Sequence, residues 1–129
     1  MGRNRSFGEA EVISACAAVF LRTGYEGTSI DDLVRATGLH RGSLYKAFGS
    51  KRGLFLAAQR QLGTSDAPMP DALDLLLVAL LELAPRDEEI RRVCADMVSR
   101  LTGTDEAQVL GRRLLERAQI ASAEGKGTS

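Results

Sequence analysis

At 129 residues and 44% apolar side chains, the chain can hold one ordinary domain, or a small head with a small second bundle, and is too apolar for wholesale disorder. The 17 Lys and Arg balance the 17 Asp and Glu overall, yet residues 1–62 carry nine basic and five acidic side chains and residues 63–129 eight and twelve. A polyanion would therefore meet the front half. No secretory signal is expected, because the basic start Met1 to Arg5 is followed by no apolar core. The run Leu73 to Leu83 is broken by Asp74 and Glu82 and is too short for a bilayer. The expected location is the cytoplasm, away from membranes.

In chain order, Ser6 to Glu9 fits a capping box for a first helix, in which Val12, Ile13, Cys16, Val19 and Phe20 form one apolar stripe. Gly24 ends that helix. Ser29 caps a short second helix, with Asp31 and Asp32 at its positive end, Ile30, Leu33 and Val34 inward, and Gly38 closing it. A third short helix at about 40–47 has Leu44, Ala47 and Phe48 as its apolar side. Ser50 caps a fourth, with Leu54, Phe55, Ala58 and Leu62 in its stripe. Two short helices joined by a tight turn outline a helix-turn-helix.

The stretch Gly63 to Pro70 carries two prolines among small polar residues and marks a connection between two bodies. Three further helices are predicted. The first, about 71–84, is leucine-rich nearly all round and should be buried centrally. The second, about 86–101, opens on Asp87, Glu88 and Glu89 and presents Ile90, Val93, Cys94, Met97, Val98 and Leu101. Residues 102–104 break it. The third, about 105–123, carries Val109, Leu110, Leu114 and Ile120, and a loose tail follows from Gly125. The fold class is all-α, with a helix-turn-helix head (1–62) and a short helical regulatory or dimerisation domain (63–129).

Cys16 and Cys94 lie far apart within helical patterns and read as buried, reduced thiols. Two such cysteines and a single histidine cannot supply the four ligands of a zinc site. No Gly-rich phosphate loop and no paired acid and base are present, so neither an enzyme nor a cofactor is expected.

The residues Ala15 and Phe20, the run Gly24 to Ile30, Gly38 with Leu39, Gly42 to Tyr45, and Phe48, Ser50, Lys51 and Leu54 agree with the tetracycline-repressor (TetR) family at fixed offsets. From Ile13 to Leu56 the chain resembles the DNA-binding head of that family along its whole length. Leu75 to Asp87 and Glu116 to Gln119 resemble, more weakly, the middle of a ligand domain found in many members. Two departures stand out: the last helices, which usually build the dimer interface, are expected to be missing, and Gly103 and Gly111 interrupt what tends to be one long helix.

The resemblance implies a transcriptional repressor that binds a palindromic operator in double-stranded DNA as a homodimer and releases it when a small-molecule effector enters the second domain. It also implies site residues. Tyr45 would reach a phosphate through its hydroxyl with its ring against the core. Lys51, in the first turn of the fourth helix, would hold a phosphate together with free N–H groups. Arg41 matches the O6 and N7 acceptors of guanine, or touches backbone phosphate only. Lys46 and His40 flank it, with His40 standing where a capping Ser or Thr is common. Thr28 and Ser29 are further phosphate candidates, although Ser29 serves equally as a cap. Gly42 and Ser43 are small enough for close approach to bases, or fill a tight corner. Leu76, Leu80, Met97 and Leu114 line an apolar effector pocket or are simply core. The alternative function is a truncated member acting through protein–protein interaction, as a heterodimer partner or adaptor.

Overall fold

Gly8 is extended (φ −78°, ψ 167°), and its N–H donates to the Glu11 carboxylate at 2.9 Å, which starts α1 (Glu9–Thr23). The helix thus begins two residues later than a Ser6 cap would place it, with Glu11 rather than Glu9 reaching back. The computed structural model describes residues 8–64, 69–101 and 105–120. Ser6, residues 65–68 of the expected break at 63–70, the break at 102–104 with Gly103, and the tail from Gly125 lie outside those residues, while Met69 and Pro70 already belong to a helix.

The chain continues as α2 (Ile30–Thr37), α3 (Arg41–Phe48), α4 (Lys51–Leu62), α5 (Met69–Glu82), a 3-10 turn (Ala84–Arg86), α6 (Glu88–Ser99) and α7 (Glu106–Arg117). All regular structure among the described residues is helical. The caps explain most boundaries. Ser29 and Asp32 exchange hydrogen bonds, the Asp32 N–H to Ser29 Oγ at 3.0 Å and the Ser29 N–H to Asp32 Oδ2 at 2.9 Å. Ser50 Oγ accepts from the Gly53 N–H at 3.0 Å, and Asp87 caps α6 by accepting from the Ile90 N–H at 3.1 Å. Gly24 and Gly38 end α1 and α2 at positive φ (79° and 75°).

One close approach was invisible in the sequence. A Cβ on Gly53 would stand 1.9 Å from the Phe48 carbonyl oxygen, so only glycine lets the end of α3 run into α4 so tightly.

Phe20, Tyr25 and Phe55 build the centre of the head, with Phe20 and Phe55 edge to face at 5.1 Å and Tyr25 against Phe55 at 5.4 Å. Leu33, Leu44 and Leu54 are fully buried around them. The same apolar cluster runs on without a break into Leu75, Leu76, Val78, Ala79, Ile90, Cys94 and Met97, so the halves on either side of residue 63 share one core. Helix α5 is central, as its composition suggests, touching α1, α4, α6 and α7. Its outer residue Leu81 is exposed.

Polar contacts lock the helices together, both across residue 63 and within the second half. Arg52 on α4 donates two hydrogen bonds to Asp87, at 2.6 and 2.9 Å, and a third to Glu89 at 2.9 Å. Asp74 on α5 receives both arms of Arg113 from α7, at 2.6 and 2.9 Å, with Arg117 at 3.2 Å. Burial alone would raise the Asp74 pKa, but the two guanidiniums outweigh it and hold the carboxyl below its usual range. Gln59 lies fully buried among sulfurs, its Nε2 donating to Cys94 Sγ at 3.3 Å and Met97 Sδ at 3.8 Å, while its Oε1 has no protein partner.

Three expectations are corrected. Ala47 is exposed, leaving Leu44 as the one buried residue of α3. Helix α7 runs unbroken through Gly111, where the i to i−4 hydrogen bonds continue and an added Cβ would meet nothing within 4 Å. It has no buried residue: Val109 and Leu110 are half-buried, but Leu114 and Ile120 are exposed.

Candidate nucleic-acid interface

Helix α3 is eight residues long and is anchored by the buried Leu44 and by the half-buried Phe48 packed against the core. Arg41, Gly42, Ser43, Tyr45 and Lys46 are exposed. Helical spacing puts Gly42, Tyr45 and Lys46 on one side and Arg41 one turn before Tyr45. Tyr45 is 40% exposed, so part of it is covered by the protein and part is open to solvent. His40 occupies the N-cap position and makes no side-chain capping bond. The surface helix therefore carries two cations, a phenol and a glycine, with no carboxylate of its own. Such a helix fits the width of a B-DNA major groove.

Gly42 is informative for what it does not touch. A Cβ there would meet nothing within 4 Å, so the protein's own packing does not demand glycine. Glycine in a helix costs up to about 1 kcal/mol against alanine. Its smallness would serve close approach by something outside the molecule.

The flanking candidates are placed differently. Ser29 is exposed beside α3 and spends its hydroxyl on the α2 cap. Arg41 reaches across to pair with Asp31 on α2. Thr28 is buried, its hydroxyl donating to the Gly24 carbonyl at 2.6 Å and lying 2.5 Å from the Thr23 hydroxyl, so its side chain is turned into the loop. Lys51 points back at the same loop, donating to the carbonyls of Tyr25 (3.1 Å) and Thr28 (3.0 Å) with its ammonium 4.3 Å from the centre of the Tyr25 ring. An ammonium has three protons, so one remains for a further acceptor. Sequence reasoning had assigned Lys51 to phosphate alone, and its loop partners lie 23 and 26 residues away, beyond any local pattern.

Of the apolar candidates, Leu76 and Met97 meet at a pocket of about 130 Å³, lined also by Leu62, Ala72, Leu73 and Leu101. Leu80 packs against the core, and Leu114 lies exposed on α7. Beside this pocket, sharing Gly63, Met97 and Arg100 with it, a groove of about 480 Å³ opens between α4 and α6. Among the described residues no group of three or more His, Cys, Asp or Glu side chains could hold a metal, and no helix is long and apolar enough to cross a membrane.

Comparison of the sequence with known proteins points the same way. The sequence model for "Bacterial regulatory proteins, tetR family" fits residues 12–58, from the first turn of α1 through most of α4. Over that head the chain is similar to the tetR family. It is 50% identical over 58 residues to YezE, an uncharacterized HTH-type transcriptional regulator of Bacillus subtilis, covering 45% of this chain and 30% of that protein. It is 37% identical over 73 residues to the HTH-type transcriptional repressor BdcR of Escherichia coli, covering 56% and 37%. It is 39% identical over 51 residues to the HTH-type transcriptional repressor AcnR of Corynebacterium glutamicum, covering 40% and 27%. The matched stretch thus spans about a third of the length of each relative, and the residues fitted by the family model include α2 and α3.

Proposed function

We propose that this chain is a tetR-family DNA-binding transcriptional regulator, acting as a repressor, that lays α3 in the major groove. The observation that carries the reading is the outer face of α3, where Arg41, Gly42, Tyr45 and Lys46 stand exposed on a helix anchored by Leu44 and Phe48. In this reading Tyr45 and Lys46 meet phosphate, and Arg41 leaves Asp31 to read guanine. Gly42 and Ser43 let the helix come close, with His40 and Ser29 at the edge. Lys51 offers its remaining proton to a phosphate while it holds the loop. Thr28 contributes by shaping that loop. One such helix reads only a few base pairs, so two copies would read a palindrome with half-sites about 34 Å apart. For release, the effector site would be the pocket and groove where Leu76 and Met97 come together beneath α4.

The test is duplex binding across a salt series. Lys46→Ala should weaken all sequences alike and reduce the salt slope by about one unit. Arg41→Ala should relax preference at one base position at a cost of about 1–3 kcal/mol. A Lys46→Ala protein with altered sequence preference and an unchanged slope would refute this division of labour.

A second reading has its own observation. Leu81, Leu114, Leu115 and Ile120 are exposed apolar residues on or beside α5 and α7, and favour contact with another protein. Size-exclusion of the chain alone and with a full-length relative separates the two: a heterodimer without duplex binding would favour this second reading.

A further inference from the structure

The loop between α1 and α2 is held from two sides, and the second hold comes from the far half of the chain. Glu82, the last residue of α5, accepts the Tyr25 N–H at 3.3 Å on one carboxylate oxygen and the Glu26 N–H at 2.7 Å on the other. Two consecutive backbone N–H groups thus close on one carboxylate, a charge-assisted arrangement stronger than a pair of neutral bonds. Gly24 makes room for it: a Cβ there would stand 2.8 Å from Glu82 Oε2, at a φ of +79° that other residues rarely adopt. On the opposite side of the same loop, Lys51 takes the carbonyls of Tyr25 and Thr28. Ser29, the cap of α2, follows directly.

We infer that Glu82 is a positioning residue for DNA binding, fixing the Gly24–Thr28 loop from α5 so that Lys51, Ser29 and the α2–α3 pair meet DNA in one arrangement. Glu82 touches no DNA itself. It acts through the loop backbone, and it makes the head depend on where α5 ends. The next turn is tied to the same point, since Arg86 donates to the Glu82 carbonyl at 3.2 Å. The inference rests on the DNA-binding reading above.

The experiment compares the full chain with Glu82→Ala, Glu82→Gln, Gly24→Ala and Ile90→Val. Duplex affinity is measured on a selected sequence, together with amide exchange at Tyr25 and Glu26 and the unfolding midpoint. Ile90→Val is a destabilising control in the α6 core, away from the loop. Glu82→Ala and Gly24→Ala should each expose both amides and weaken duplex binding about tenfold, with base preference unchanged. Combining them should add little, because both break one contact. Glu82→Gln keeps one carbonyl oxygen and should protect one amide and recover part of the affinity, a graded rescue that loss of stability alone would not give. Ile90→Val should lower the midpoint and leave affinity alone. Folded Glu82→Ala and Gly24→Ala proteins that bind duplex as wild type does, with both amides exposed, would overturn the inference. Affinity loss that merely tracks the midpoint across all four variants would also overturn it. A wild-type protein that binds no duplex would instead fail the functional reading, and the inference with it.

Discussion

Replacing Asp87 tests how firmly the helix-turn-helix head is joined to the rest. The side chain does two jobs: it caps α6 through the Ile90 N–H, and it takes two hydrogen bonds from Arg52. The Arg52 guanidinium is the main reason its carboxyl is held down from 3.8 to about 2. That difference of roughly two units corresponds to a ceiling of about 2.5 kcal/mol. Asp87 is 16% exposed but Arg52 is 39% exposed, so solvent screening reduces the charge contribution to about 1–2 kcal/mol. The cap contributes about 1 kcal/mol more. Asp87→Asn keeps the cap and should cost about 1–2 kcal/mol at pH 7; Asp87→Ala loses both and should cost about 2–3 kcal/mol. The sign with pH follows from a depressed carboxyl. Its contribution is complete above the unfolded value near 4 and disappears as pH falls toward 2. Urea titrations of wild type and both variants between pH 7 and pH 2.5 measure this. Equal losses for Asn and Ala, or a wild-type advantage over Asn that persists undiminished at pH 2.5, would refute the reasoning.

Other outcomes follow from single sites. Gly42→Ala should raise stability by up to about 1 kcal/mol while weakening duplex binding; a stabilised variant with intact affinity would remove the argument for close approach. Gln59→Met, which removes a buried amide oxygen without a protein partner, should be neutral or stabilising by about 1 kcal/mol in thermal unfolding, and a loss of several kcal/mol would show that the amide is satisfied. Asp74→Ala should remove the hold of α5 on Arg113 and Arg117 and free α7, seen as fast amide exchange over residues 106–117 with α1 to α4 still protected. Burial pushes the Cys16 thiol up to about 11 and raises that of Cys94, so both should resist alkylation at pH 8 until urea unfolds the chain.

The local signals in the sequence were good guides to local structure. Ser29 and Ser50 cap helices where their side chains and neighbours suggest, whereas Asp87, expected inside a helix from about 86, is the cap of α6; the apolar stripes of α1 and α4 are buried with few exceptions. The start of α1 was misplaced because two glutamates, Glu9 and Glu11, compete for one capping function and only the backbone of Gly8 decides between them. Spacing puts Ala47 inward, yet the short α3 is held by Leu44 and Phe48, and Ala47 stays exposed. The candidate face was legible as Arg41, Gly42, Tyr45 and Lys46, because one turn of helix is set by sequence spacing. What ties that face to the rest was not legible. Glu82 meets residues 56 and 57 positions earlier, Arg52 meets Asp87 35 positions later, and Lys51 turns to carbonyls on another loop. Periodicity carries no information about such pairings, since each side chain reads as a solvated charge until the helices are packed.

The most direct test of the central claim is selection from random duplex DNA by the wild-type chain and by a Tyr45→Ala, Lys46→Ala double variant at moderate salt. These two residues are chosen because both are exposed on α3, whereas removing Lys51 would also unseat the loop it holds. The account predicts a palindrome enriched by wild type and lost by a variant that remains folded. A folded wild type that enriches no sequence, or a double variant that enriches the same palindrome as strongly, would contradict it.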